Sequence, residues 1–280
     1  MKYFALYSGI LLFVAAGMFS CRPQESPSAD NGIEFDTIRS VRNYHLDNDS
    51  TQPSCNLRLT FVYPSQYKDE TVLKSLQDIF IASFFDESYV GLTPQKAIEN
   101  YENNYVESYK EDARIFSRDK YEHDETEMYS SYYEIDNNTI IFNQGGILSF
   151  QINQTNYKGG ASSYDFFKNY TIDVKNARLV LEDDLFVDGY EKALNSIFRD
   201  HLLKVNKAKS IYDLENLGYF GIEEMIPNGN FILDDNNITY IFNRGEYSGY
   251  KIEPITIPIA YKDIKPLIKE ESVISKFVST

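Results

Sequence analysis

Residues 147–174, "ILSFQINQTNYKGGASSYDFFKNYTIDV", contain the pattern that decides the fold. Apolar and polar residues alternate on both sides of the pair Gly159–Gly160. Such alternation is typical of a strand with one buried face, because successive side chains point to opposite sides of a sheet. We therefore predict two strands joined at the glycines, which supply positive φ or close backbone approach. A phosphate-binding loop is disfavoured, because no helix follows at once and no Lys or Ser/Thr has the P-loop spacing.

Amphipathic helices are predicted on both sides of these strands. Apolar residues recur every three or four positions from Val72 to Phe84, and again along "TPQKAIENYENNYVESYK", where Thr93 is the N-cap and Pro94 takes the first turn. A third helix is predicted over residues 190–204. Helices and strands occupy separate stretches, which predicts an α+β fold: antiparallel sheets with segregated amphipathic helices packed on one face.

Turn-forming residues predict where the other strands end. The strand "NLRLTFVYP" is expected to end at Pro64, since proline cannot donate to a sheet ladder. A turn is predicted at Asn137 and Asn138, between "MYSSYYEID" and "TIIF".

Composition and charge limit the function classes. The 280 residues are 42% hydrophobic and 15% aromatic, which is typical of a globular chain rather than a disordered one. The formal net charge is -15, so the field of the protein repels phosphate backbones. We therefore predict no nucleic-acid partner.

The N-terminus predicts a lipid anchor. "MKYFALYSGILLFVAAGMFSC" has a charged start, a short apolar run and a small residue before Cys21, as in a bacterial lipoprotein signal. The pattern is imperfect, because Met18 stands where Leu is usual and bulky Phe19 follows. A transmembrane anchor is the alternative, but this run is shorter than the roughly 20 apolar residues that a span needs. We predict lipidation of Cys21 and a location in the bacterial cell envelope, periplasmic or at the surface.

The remaining chain is predicted to hold two domains. Residues 1–20 are the predicted signal peptide, and residues 21–32 form a flexible tether rich in Pro, Ser and polar residues. An N-terminal α+β domain over residues 33–125 and a C-terminal α+β domain over residues 126–280 follow. Cys55 is then the one cysteine left in the mature chain, and we expect it to be a small buried apolar residue.

Two parts of the chain resemble known extracytoplasmic proteins. The strand ending in "FVYP" and the long helix after it resemble the domain that precedes the catalytic part of PdaC-type peptidoglycan deacetylases. The motifs Tyr-x-Gly-Gly-Ala, Asp-Leu-Phe and Thr-Ile-Pro in the second half resemble the extracytoplasmic region of RsiV, a lysozyme-sensing anti-sigma factor. One departure is Ser162, which stands where this family often has His.

This resemblance implies binding rather than catalysis, since it covers the non-catalytic part of those proteins. The implied partners are peptidoglycan or a lysozyme-like protein, besides the membrane through the lipid. The residues agree with a non-enzyme lacking a cofactor or metal. His45, His123 and His201 show no metal-ligand spacing, and Glu182–Asp184 favour the start of a helix as caps more than a cation site.

The candidate binding residues lie in "NRGEYSGYKIEP" and are Arg244, Glu246, Tyr247, Tyr250 and Glu253. Tyrosine can stack on sugars or anchor a protein interface, and acids attract a basic partner. An ordinary connection between two strands is the alternative for this loop. A second hypothesis for the whole protein is a hydrolase or deacetylase of envelope glycans with an unrecognised pair of carboxylates.

Overall fold

The stretch 147–174 contains two antiparallel strands in the computed structural model. The structure describes residues 30–118, 131–158, 163 and 165–278, without side chains for residues 116–118. The first strand, Ile147–Tyr157, pairs with Asp165–Asp173 so that Phe150 lies opposite Tyr170. The predicted signal peptide, Cys21, the domain boundary at residue 125, His123 and the turn residues 159–162 lie outside the described residues.

Nine strands form two sheets within the described part of the chain. They are β1 (Glu34–His45), β2 (Ser54–Gln66), β3 (Tyr132–Gln144), β4 (Ile147–Tyr157), β5 (Asp165–Asp173), β6 (Arg178–Leu179), β7 (Phe231–Leu233), β8 (Asn237–Phe242) and β9 (Ile255–Ala260). A six-stranded sheet has the order β1 to β6, and β7 to β9 form a three-stranded sheet. All pairs are antiparallel except β2 with β3.

Six α-helices accompany the sheets in the same residues. They are α1 (Glu70–Phe84), α2 (Pro94–Arg118), α3 (Glu182–Leu185), α4 (Tyr190–Val205), α5 (Ile211–Asn216) and α6 (Ser275–Val278). Helices and antiparallel sheets together confirm the predicted α+β class. None of the described helices has the length and apolar character to cross a membrane.

The first core lies between the six-stranded sheet and the helices α1 and α2. Phe80 of α1 stacks on Phe150 of β4 with ring centroids 4.1 Å apart, and both side chains are fully buried. Burying one such side chain contributes about 1.5–3 kcal/mol. The inward tyrosines of α2, including Tyr105 and Tyr109, complete this core, as their spacing predicts.

Both predicted strand ends need correction. The turn predicted at Asn137 and Asn138 is wrong, because β3 continues through both residues. Asn138 stays in the strand because its side chain accepts a hydrogen bond from Val62 N at 2.7 Å and donates one to Val62 O at 2.8 Å. Strand β2 also continues past Pro64, which pairs with Phe35 beside a register shift that accommodates the missing N–H.

The second core lies between α4 and the three-stranded sheet. Phe198 of α4 packs edge-on against Tyr240 and Phe242 of β8, with ring centroids 5.1 and 5.3 Å apart. The two sheets meet where Ser149 Oγ of β4 donates to Leu233 O of β7 at 2.7 Å. The segment from α3 to β9 is thereby attached to the large sheet.

Candidate binding surface

The connection between β8 and β9 is shaped by Arg244. Its Nη1 donates to Tyr250 O at 3.1 Å and to Ile252 O at 2.7 Å, and its Nη2 donates to Glu253 Oε2 at 2.6 Å. The Arg244 side chain is 15% exposed, whereas that of Glu253 is 85% exposed. Arg244 therefore acts mainly inside the loop, and Glu253 faces solvent.

Glu246 and Tyr247 also have internal roles. The carboxylate of Glu246 accepts from Asn243 N and from Asn228 Nδ2, both at 2.9 Å. The Tyr247 ring packs edge-on against Phe242 at 5.5 Å, and its hydroxyl accepts from Ile226 N at 3.2 Å. These contacts fix the loop on β8 and on the segment before β7.

Tyr250 is the aromatic residue that the loop displays, since its side chain is 57% exposed. Its ring lies over Gly245, which has a φ of 87°. The positive φ favours glycine at this position, and a Cβ there would come within 2.9 Å of the tip of the Tyr250 ring and displace it.

A second segment lies beside this loop and adds apolar surface. Phe220 N donates to Tyr247 O, and Gly249 N donates to Gly218 O, each at 3.0 Å. The hydrogen-bonded segments together display large apolar side chains that are about half exposed: Leu217, Phe220, Ile226 and Tyr250. We call residues 215–226 and 244–253 the acidic apolar surface.

Acids outnumber bases on this surface. Its sequence contains five acids and two bases, which gives a net charge of -3. Glu215, Glu223, Glu224 and Glu253 are exposed. Exposed apolar side chains and exposed acids on neighbouring segments suit a protein interface.

Glu182 and Asp184, two other acids selected from the sequence, have structural roles. Asp184 accepts from Arg178 Nη1 at 2.7 Å and from Leu181 N at 2.9 Å, and the hydrogen bond to Arg178 lowers the pKa of Asp184. Glu182 accepts from Gly229 N at 3.0 Å. The described residues contain no group of three or more His, Cys, Asp or Glu side chains suited to a metal ion.

Sequence reasoning missed a pair of buried acids on β3. Glu134 and Asp136 occupy alternate positions of the strand and are only 5% and 1% exposed, beneath α2. The sequence "YYEID" could have revealed this pair, because its two acids occupy the alternate strand positions whose side chains are expected to face the core. Because the pair is covered, it does not form the open carboxylate cleft that a glycan hydrolase needs.

A groove of about 730 Å³ separates the β3–β4 turn from the segment before α6. Both signs of charge line it, among them Lys68, Lys175, Asp69 and Glu271. Part of its polar lining is engaged internally, as where Asp173 accepts from Asn176 Nδ2 at 2.5 Å. The mixed lining does not define a ligand class, so the acidic apolar surface is the stronger candidate.

The candidate loop lies in a segment that is similar to a described family model. Residues 183–262 match the model of a family described as "Protein of unknown function (DUF3298)". No curated protein matched the chain. A crystal structure of a DUF3298 family member from Bacteroides fragilis is similar over 90% of this chain and 100% of its own, with 28% identity and a TM-score of 0.84.

A more distant solved structure shows the same fold. A DUF3298 family protein from Pseudomonas aeruginosa aligns over 86% of this chain and 97% of its own, with 12% identity and a TM-score of 0.57. The segment that matches the DUF3298 family model, residues 183–262, runs from α3 through β9 and contains the loop from Arg244 to Glu253.

Proposed function

We propose that this DUF3298-like chain is a non-catalytic, lipid-anchored envelope protein whose acidic apolar surface binds a cationic protein such as lysozyme. The observation that carries the proposal is the exposure of Phe220 and Tyr250 on two hydrogen-bonded segments that also contain exposed acids. Aromatic side chains of this kind are frequent binding hot spots.

Charge favours a basic protein over a neutral partner. The surface carries a net charge of -3 on a chain of net charge -15, so the attraction acts over a distance before contact is made. The apolar side chains then supply area that water leaves on binding. The resemblance to the lysozyme-sensing region of RsiV agrees with such a partner, and peptidoglycan is the alternative ligand to be compared with it.

The binding experiment compares lysozyme with sacculi at low and moderate salt. The purified protein is immobilised, and we expect retention of lysozyme that weakens as salt screens the charges. The double variant Phe220→Ser/Tyr250→Ser should bind at least tenfold more weakly, while Val41→Ser, an equally exposed apolar residue on β1, should bind normally. Salt-sensitive retention of sacculi alone would replace lysozyme with glycan as the ligand, and retention of neither would reject the proposal.

Charge variants test the acidic part separately. Glu223→Gln, Glu224→Gln and Glu253→Gln together should slow association with lysozyme and flatten its salt dependence. A matched triple variant at exposed acids elsewhere, Glu34→Gln, Glu70→Gln and Glu87→Gln, changes the net charge equally. If both triple variants slow association to the same degree, the effect belongs to overall charge and not to this surface.

The anchor and the absence of catalysis are tested independently. Cys21→Ala should release the protein from membranes and abolish lipid labelling, and unchanged fractionation and labelling would contradict the anchor. Incubation of the pure protein with peptidoglycan should release neither muropeptides nor acetate. Release of either would support the hydrolase or deacetylase alternative.

A further inference from the structure

We propose that Glu134 and Asp136 form a binding site for a single proton beneath α2, and that this site couples the docking of α2 on the sheet to pH. The site is separate from the acidic apolar surface and does not depend on the proposed function. We assign a proton as the ligand because the site offers only two carboxylates, and a buried metal ion takes more protein ligands than that.

The backbone places the two carboxyl groups together. Residues at alternate positions of a strand point to the same face, and here that face lies under α2. On the neighbouring β2, Leu57 and Leu59 lie opposite the two acids and are fully buried, so that side of the pair is apolar. Two ionised carboxylates in such surroundings repel each other with little screening.

The hydrogen bonds around the pair are incomplete. The Tyr101 hydroxyl of α2 donates to Glu134 Oε1, and Gln154 Nε2 of β4 donates to Asp136 Oδ2 at 3.2 Å. Asp136 Oδ1 and the Tyr105 hydroxyl, both buried, have no hydrogen-bond partner among the described residues. Buried polar atoms are rarely left in this state, and a proton on Asp136 turns one of its oxygens into a donor.

The surrounding charged groups do not neutralise the pair. The titratable or charged side chains that interact with the pair are Tyr101 and Tyr105 of α2 and Lys168 of β5. Lys168 of β5 lowers the pKa of Asp136, but its effect is the smallest of those acting on this group. Burial first, and then repulsion from Glu134, raise the pKa of Asp136 to about 7.

The direction of the pH dependence follows from this shift. When the chain unfolds, or α2 leaves the sheet, Asp136 meets water and its pKa returns toward the ordinary value of 3.8. Between about pH 4 and pH 7 the folded state therefore binds more protons, and stability falls as pH rises through this window. Above about pH 7 Asp136 is ionised, and the contribution of its proton to stability is lost.

The primary test is a carbon-13 NMR titration of the side-chain carboxyl of Asp136 in the full protein, assigned by the loss of its signal in Asp136→Asn. We expect a transition of the Asp136 carboxyl near pH 7. Titration of Asp136 below pH 5 would overturn the proposal, and this result can be read from the spectrum of the native protein alone.

The second test measures the coupling to stability. The equilibrium constant for unfolding, from urea titrations at pH 5 and pH 8, should rise at least tenfold more in the native protein than in Asp136→Asn. Protection of α2 amides against hydrogen exchange should show the same difference. Glu134→Gln keeps the shape and removes the repulsion but leaves Asp136 buried, so it should reduce the pH dependence in part. This variant replaces Asp136→Asn if Asp136→Asn does not fold. Equal pH dependence in the native protein and the variants would reject the coupling.

Discussion

The candidate loop contains residues that hold its backbone in place, such as Arg244, and residues that it exposes to solvent. The Arg244 guanidinium donates to two loop carbonyls, whereas Tyr250 and Glu253 face solvent. The sequence does not distinguish the two roles, because Arg, Tyr and Glu occur both in binding interfaces and in contacts that stabilise a loop. The distinction depends on the bend of the backbone, which brings Ile252 O within 2.7 Å of Arg244 and which local propensity does not predict.

We predict that Arg244→Ala destabilises the protein by about 1–2 kcal/mol, because the carbonyls of Tyr250 and Ile252 lose a charged donor. The free energy of unfolding from urea titration measures this change. Glu253→Gln is the control, since it keeps both carbonyl contacts and alters a side chain that is 85% exposed. An equal loss in the two variants would mean that the ion pair, and not the contact with the carbonyls, holds the loop.

At the scale of elements, the sequence predicted helices better than strand ends. The start of α2 was recognisable because Thr93 accepts from Lys96 N at 3.3 Å and Pro94 opens the helix, a local arrangement that needs no distant partner. The continuation of β3 through Asn138 was not, because it depends on the backbone of Val62, which is 76 residues away in the chain. Asparagine favours turns unless such a partner is present.

Helix α1 is capped by Asp69. Asp69 Oδ1 accepts from Thr71 N at 2.9 Å and from Val72 N at 3.1 Å, which satisfies two amides that the helix leaves open. Asp69→Ala should therefore lower the free energy of unfolding by about 1 kcal/mol, and Asp69→Ser should restore most of it. Thermal and urea unfolding measure both values. If Asp69→Ser is as unstable as Asp69→Ala, the lost contribution is charge near the helix and not the cap.

Buried polar side chains join the two sheets. Asn243, at the end of β8, is 2% exposed and reaches across to β5, where Phe167 N donates to its Oδ1 at 2.8 Å and its Nδ2 donates to Phe167 O at 2.9 Å. Asn230, before β7, accepts from Asn169 N at 2.8 Å. These side-chain amides form hydrogen bonds with the β5 backbone in the place where a neighbouring strand would otherwise pair with it. The sequence could not assign these roles, since asparagine close to a glycine equally suits a turn.

Asn243 is buried at this junction, and Asn243→Ala leaves Phe167 N without its acceptor. The variant should therefore lower the free energy of unfolding by about 1–3 kcal/mol. The loss should reach both sheets if they unfold together, so transitions followed by circular dichroism and by proteolysis at each sheet should coincide and shift equally. Asn236→Ala, at an exposed turn before β8, should change stability by less than about 0.5 kcal/mol. Earlier cleavage confined to residues 183–262, with unchanged protection of β1 to β5, would show instead that the segment matching DUF3298 unfolds as a unit of its own.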